Sequence, residues 1–193
     1  MTADLEVPVS WRASRDEMIL IVIDVQEKLA AHIHEAMVVQ QNIDRLVRGC
    51  HLLGVPALIT EQYPRGIGPT TELVRNAFEE TFGFHPIQKM CFSAAGVEAF
   101  DQLVAESGRR RVLMTGIETH VCVWQTSMDL LVSGFEVTLV ADAVSSRTER
   151  NRQTALRRLE SEGALISSTE MVLFELCIES GTDEFRAISR LVK

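Results

Sequence analysis

No stretch of this 193-residue chain is apolar for long enough to cross a bilayer. The longest run, MILIVI at 18–23, falls far short of the roughly 20 residues that a spanning helix takes. The first 17 residues carry Asp4, Glu6, Asp16 and Glu17 and lack the apolar stretch of a secretory signal, so a cytoplasmic protein with no membrane partner is expected. Cysteine is sparse and unclustered: Cys50, Cys91, Cys122 and Cys177 stand far apart with no C-x-x-C pair, which speaks against a zinc site or a disulfide framework. Cations are outnumbered, 19 Lys and Arg against 27 Asp and Glu, for a net charge of -8. That balance opposes nucleic-acid binding, which depends on clustered cations neutralising phosphates. The basic runs at 109–111 and 157–158 are short and read as solvated faces or salt-bridge partners. Repeats, low-complexity tracts and linkers are also missing, so a single domain over 1–193 is expected, with a core large enough to need no staples.

What is present is an alternation. Apolar runs bounded by turn residues, near 18–24, 55–60, 86–90, 111–116, 135–141 and 164–167, alternate with segments of helical period, the pattern of repeated βα units on a buried parallel sheet. Ala36, Val39, Ile43, Leu46, Cys50 and Leu53 recur at spacings of three and four until Gly54, which ends the run as a helix-terminating glycine does. Val121, Trp124, Met128 and Leu131 repeat the spacing before Gly134. Ser146 with Glu149, and Ser167 with Glu170, predict capping boxes at two later helix starts. Segment 61–85 reads as a shaped loop, EQYPRGIGPT, followed by a short helix around ELVRNAFEE.

In open parallel sheets the ligand crevice lies beyond the carboxyl ends of the strands, which singles out Asp24, Thr60 with Glu61, Lys89, Glu118 through Cys122, and Asp142. Cys122 falls in the first turn of a helix, where the macrodipole and free N–H groups favour a thiolate and can also bind an oxyanion. Asp24 can take the thiol proton, and Lys89 supplies a cation that keeps both partners charged. Each residue also has a plain reading: buried cysteines are usually inert, a strand-end Asp often caps a turn, and a strand-end Lys often reaches solvent. Cys50 and Cys177 read as core; Cys91 reads as packing, with a pocket-lining place on the Lys89 side as the other reading. His32 and His34 do not face together on a helix, so they are not a metal pair. His120 either touches substrate or hydrogen-bonds its loop. Asp142 reads as a cap or loop anchor that pairs with Arg147.

ILIVIDVQ with Asp24, KMCFS with Lys89 and GIETHVCV with Cys122, in this order, resemble the isochorismatase-like cysteine hydrolases over nearly the whole chain. TEQYPRGIGPT, DAVSSR and STEMVLFEL look most like the branch of isochorismatase domain-containing proteins. The resemblance implies an α/β fold, a three-layer α/β/α sandwich with a six-stranded parallel sheet. It implies Asp24 as base, Lys89 as charge stabiliser and Cys122 as nucleophile, and a cis peptide between Ile117 and Glu118 that would aim the Glu118 and Cys122 N–H groups into one oxyanion hole. Nicotinamidases of the superfamily carry an Asp-x-His metal site after the second strand. Here that position reads TEQYPRG, so no metal and no cofactor is expected, and Gln62, Tyr63, Phe92, His120 and Trp124 are the candidates for contacting substrate. The reading is a hydrolase cleaving a small amide-like C–N bond through a thioester, acting on a small molecule and assembled as a homo-oligomer, dimer or higher. The alternatives are isochorismatase-type vinyl-ether hydrolysis, a noncatalytic scaffold, and a redox sensor built on Cys122 and Cys91.

Overall fold

The structure, a computed structural model, describes residues 14–193; most of the amino-terminal stretch read above as lacking a secretory signal, 1–13, lies outside the described residues. The strands are β1 (Met18–Ile23), β2 (Ala57–Gln62), β3 (Ile87–Lys89), β4 (Arg111–Ile117), β5 (Glu136–Ser145) and β6 (Leu165–Ser167). They form a six-stranded sheet in the order β3-β2-β1-β4-β5-β6, parallel at each pairing. Helices α1 (Glu27–Ala30) and α2 (Ala36–Leu52) follow β1, and α3 (Pro64–Ile67) and α4 (Glu72–Glu79) follow β2. Helices α5 (Glu98–Ser107), α6 (Trp124–Val132) and α7 (Glu149–Ser161) follow β3, β4 and β5, and α8 (Thr169–Cys177) and α9 (Asp183–Leu191) complete the described chain. No helix among the described residues is long and apolar enough to cross a membrane.

Successive strand side chains point to opposite faces, so a central parallel strand must be apolar throughout. MILIVI of β1 meets that demand and divides between two cores. Leu20 and Val22 pack with Ile43, Leu46 and Val47 of α2, Phe78 of α4, and Leu173 and Leu176 of α8. Ile19, Ile21 and Ile23 pack with Phe100 of α5, Leu130 of α6 and Leu159 of α7. Each fully buried side chain of this kind contributes about 1.5–3 kcal/mol. The outcome is the expected three-layer α/β/α sandwich.

Several boundaries differ from the sequence reading. Strand β2 begins and ends two residues later than 55–60. Val55 is held by α2's closing motif, its N–H bonding to the Cys50 carbonyl while that of Gly54 bonds to His51, with Gly54 at φ 71°. At the other end Glu61 and Gln62 still pair with Gln88 and Lys89. Strand β5 runs on to Ser145 because its register against β4 shifts between Met114, opposite Leu139, and Gly116, opposite Val144. Neither predicted capping serine caps. Thr148 accepts from the Asn151 N–H at 3.2 Å and Ser168 from that of Met171 at 3.4 Å, since Ser146 directly follows the extended β5 and Ser167 is still within β6. β6 is not buried as expected. It is three residues long, lies at the sheet edge, and leaves Leu165 61% exposed.

Candidate active site

The strand order reverses between β1 and β4, and at such a switch point the segments leaving the two strands diverge and open a crevice. Asp24 stands at one lip, in the left-handed region at φ 50°, which a short polar side chain tolerates. Gly116 near the end of β4 stands at the other, at φ 112°; a Cβ there would lie 2.1 Å from the Ile23 carbonyl oxygen. Only glycine allows the two backbones to approach so closely.

Asp24 and Lys89 are fully enclosed and paired, Nζ to Oδ2 at 2.6 Å. The other carboxylate oxygen accepts from the Thr60 hydroxyl at 2.7 Å. Lys89 also donates to Gln62 Oε1 at 2.8 Å and to the carbonyls of Phe92 at 2.9 Å and Cys91 at 3.3 Å. Every donor position of this buried side chain thus finds an acceptor. Gln62, a candidate pocket wall, instead braces the site: its Oε1 takes Lys89, its Nε2 donates to the Met90 carbonyl, and its backbone is bonded in both directions by the Gln26 amide. Glu61, facing away from these groups along β2, accepts from the N–H and hydroxyl of Thr70.

Cys122 lies in a π-helical turn, Thr119–Val123, that leads into α6, and is 5% exposed. Its thiol is close enough to Asp24 and Lys89 for each to act on it by charge and by hydrogen bonding. The direction of the shift runs against the expected thiolate. Burial, and then the Asp24 charge, push the thiol up to about 12, with Lys89 opposing them and losing. The thiol so shifted stands beside the Asp24–Lys89 ion pair.

The Ile117–Glu118 peptide bond is cis. The Glu118 carbonyl accepts from the N–H groups of Val121 and Val123, closing the turn around Cys122. The Glu118 carboxylate accepts from the Arg147 backbone N–H at 3.0 Å, from Nε at 3.1 Å and from Nη2 at 2.7 Å. Burial pushes this carboxyl up, yet the Arg147 hydrogen bonds outweigh it and the group is held below the usual carboxylate range. Arg147 therefore pairs with Glu118 and not with Asp142, which anchors the α8 start by accepting from the Thr169 N–H and hydroxyl. The arginine and the glutamate, 29 residues apart, were not linked by sequence reasoning; the acid two residues past Gly116 was the only signal. His120 has both ring nitrogens engaged, Nδ1 with the Ser146 hydroxyl at 3.0 Å and Nε2 with the Asn151 amide at 3.4 Å.

Tyr63 and Phe92, 45% and 53% exposed, flank the carboxyl ends of β2 and β3; Tyr63 lines a cleft of about 340 Å³ with Lys89 and Met90. Trp124, two positions beyond Cys122 and so on a different side of the helical run, lies under the Arg158 guanidinium, 4.1 Å from its centre, in a separate cleft of about 250 Å³. A cleft of about 580 Å³ adjoins the Glu118 side, lined by Leu29, His32, Ile33, Glu118, Arg147 and Thr148. Cys50 and Cys177 are buried, the former also pushed up to about 12 by burial. Cys91 is exposed, its thiol directed at the Ser93 carbonyl, because β3 stops at Lys89 and the chain turns outward; neither core packing nor a strand position describes it. Among the described residues, no group of three or more His, Cys, Asp or Glu converges to hold a metal ion.

Residues 18–171 match the sequence model of the isochorismatase domain. The chain is 39% identical to the secreted isochorismatase effector Isc1 of Phytophthora sojae, over 91% of this chain and 84% of that one. It is 35% identical to isochorismatase domain-containing protein 2 of Danio rerio, over 94% and 89%. The solved structure of the MAR1 ribonuclease from Caenorhabditis elegans superposes with a TM-score of 0.86 at 32% identity, covering 94% of this chain and 92% of that one.

Proposed function

The chain belongs to the isochorismatase family, and from that premise we propose that it is a cysteine hydrolase that cleaves a small amide-like C–N bond through a thioester on Cys122. As sulfur attacks the carbonyl carbon, the thiol proton passes to the Asp24 carboxylate, and Lys89 holds that carboxylate in place. The carbonyl oxygen becomes an oxyanion that accepts from the N–H groups of Glu118 and Cys122. Asp24 returns the proton to the departing nitrogen, the C–N bond breaks and the thioester remains. Water then attacks, Asp24 takes its proton, and the acid leaves as the thiol reforms.

The observation that carries this reading is the fully enclosed Asp24–Lys89 pair acting on a buried thiol. A purely structural core gains little from burying two charges, which apolar residues of similar volume replace at little or no loss of stability. A thiol pushed up to about 12 is nucleophilic only while its proton is being removed, which gives Asp24 its role. Tyr63 and Phe92 are the walls we assign to the substrate, and the reading covers the domain as one unit and as a homo-oligomer. The worm structure's name carries ribonuclease activity; a net charge of -8 disfavours a polyanionic substrate for this chain, so the small-molecule reading is kept.

A panel of primary amides and ureas, with the product acid detected by mass, tests the proposal. Turnover that disappears in Cys122→Ala is the expected result. Turnover of a vinyl ether that survives Cys122→Ala would replace the thioester route by acid–base chemistry. No turnover, together with iodoacetamide labelling of Cys122 no faster than that of the exposed Cys91, would leave only a scaffold.

A further inference from the structure

The geometry points to Arg147 as a positioning residue for the oxyanion hole: through the carboxylate of Glu118 it sets the orientation of the Glu118 N–H that receives the developing charge. The inference rests on the thioester reading above and extends it to a residue outside the Asp24, Lys89 and Cys122 set.

Three hydrogen bonds run from one residue to one carboxylate, two of them from the guanidinium fork and one from the backbone N–H. Charge-assisted, forked bonds of this kind restrict orientation more than a single contact does. The tether is short on both sides. The carboxylate belongs to the same residue whose N–H is the proposed donor, and the Arg147 N–H that grips it is part of the backbone between β5 and α7. Two residues further along the turn, His120 is bound to Ser146 and Asn151, on either side of Arg147. The turn that carries both donor N–H groups is therefore pinned to the β5–α7 junction at 118 and again at 120.

A merely structural ion pair explains this arrangement poorly. The Glu118 side chain is nearly enclosed whereas that of Arg147 is 62% exposed, so solvent screens the guanidinium and the pair adds little to stability. Its effect is directional. Oxyanion stabilisation depends on donors being fixed before the charge forms, and a displacement of about 1 Å can cost on the order of a hundred-fold in rate.

Two reactions of the same sulfur test the proposal without knowledge of the substrate. p-Nitrophenyl acetate acylates the Cys122 sulfur through a tetrahedral oxyanion, the thiol proton passing to Asp24 and p-nitrophenolate being expelled. Iodoacetamide alkylates it by direct displacement of iodide, with no oxyanion. In Arg147→Ala, acylation of Cys122 should fall by roughly 10- to 100-fold while alkylation stays within about two-fold of wild type. Arg147→Lys, which keeps one charge but not the fork, should recover part of the loss. Glu118→Gln, which keeps the peptide N–H and the side-chain shape, should show the same selective fall and serves if Arg147→Ala folds poorly. Equal losses in both reactions, or unchanged acylation, overturn the positioning role and leave the thioester reading standing. A wild-type protein that is alkylated but never acylated at Cys122 overturns both.

Discussion

Replacing Lys89 by Met removes the cation that the structure pairs with Asp24 and leaves its carboxylate enclosed. Breaking a buried pair from one side costs about 3–5 kcal/mol, against a total stability of about 5–15 kcal/mol for a domain. For a chain of this length each kcal/mol lowers Tm by roughly 2–4 °C, so the expected fall is roughly 6–20 °C. The informative variant is the double one. Asp24→Asn with Lys89→Met removes both charges, and the amide oxygen introduced at position 24 can still accept from the Thr60 hydroxyl that now serves Oδ1. Most of the loss should return. A remainder of about 1–3 kcal/mol should persist, because Gln62 Oε1 and the Phe92 carbonyl lose their donor whether or not Asp24 is charged. Urea unfolding followed by circular dichroism, with the slope m required to stay constant, measures all four corners of the cycle. Both variants should be inactive in amide turnover, so stability and activity separate. A double variant as unstable as Lys89→Met alone would refute the reasoning, since the loss would then come from hydrogen-bond geometry and not from an uncompensated charge.

Gly116→Ala should be among the most destructive single substitutions, since its Cβ would meet the Ile23 backbone and its φ of 112° disfavours any side chain; soluble yield and Tm report it, and wild-type behaviour would contradict the close β1–β4 approach. The thiols make stability fall in alkali. Cys50 and Cys122 are pushed up to about 12 in the folded protein while unfolded thiols titrate at about 8.5, so above that pH the unfolded chain binds fewer protons and stability is lost as pH rises toward 12, by about 1.4 kcal/mol per unit for each thiol. Cys50→Ala should remove one such slope, seen as a gap between wild type and variant that narrows from about pH 9 to about pH 11; parallel curves would mean that the Cys50 thiol titrates alike in both states.

The site was legible in part because its members obey a topological rule. Asp24, Lys89 and Glu118 through Cys122 each follow an apolar run, and a parallel sheet delivers all such positions to one edge. The strand runs were visible for the same reason: a central strand with helices on both sides has no polar face to hide it. Errors clustered where neighbours decide. Ser146 and Ser167 have capping chemistry, but whether a serine caps depends on where pairing with the adjacent strand stops, and the shift between Met114 and Gly116 carried β5 past that point. Gln62 carries an ordinary side chain whose bracing of Lys89 follows only from the β2–β3 register.

Composition and periodicity alone determined the alternation of strands and helices, the buried parallel sheet, and which residues end up at the carboxyl edge, since these follow from local pattern and from the need to bury apolar faces. Tertiary structure alone decided that burial and the Asp24 charge push the Cys122 thiol up, that Arg147 grips Glu118 and not Asp142, and that Trp124 lies under the Arg158 guanidinium. Protonation and pairing depend on burial and on charges contributed by chain segments tens of residues away, as Asp24 and Lys89 are at a separation of 65, and no local pattern encodes those distances.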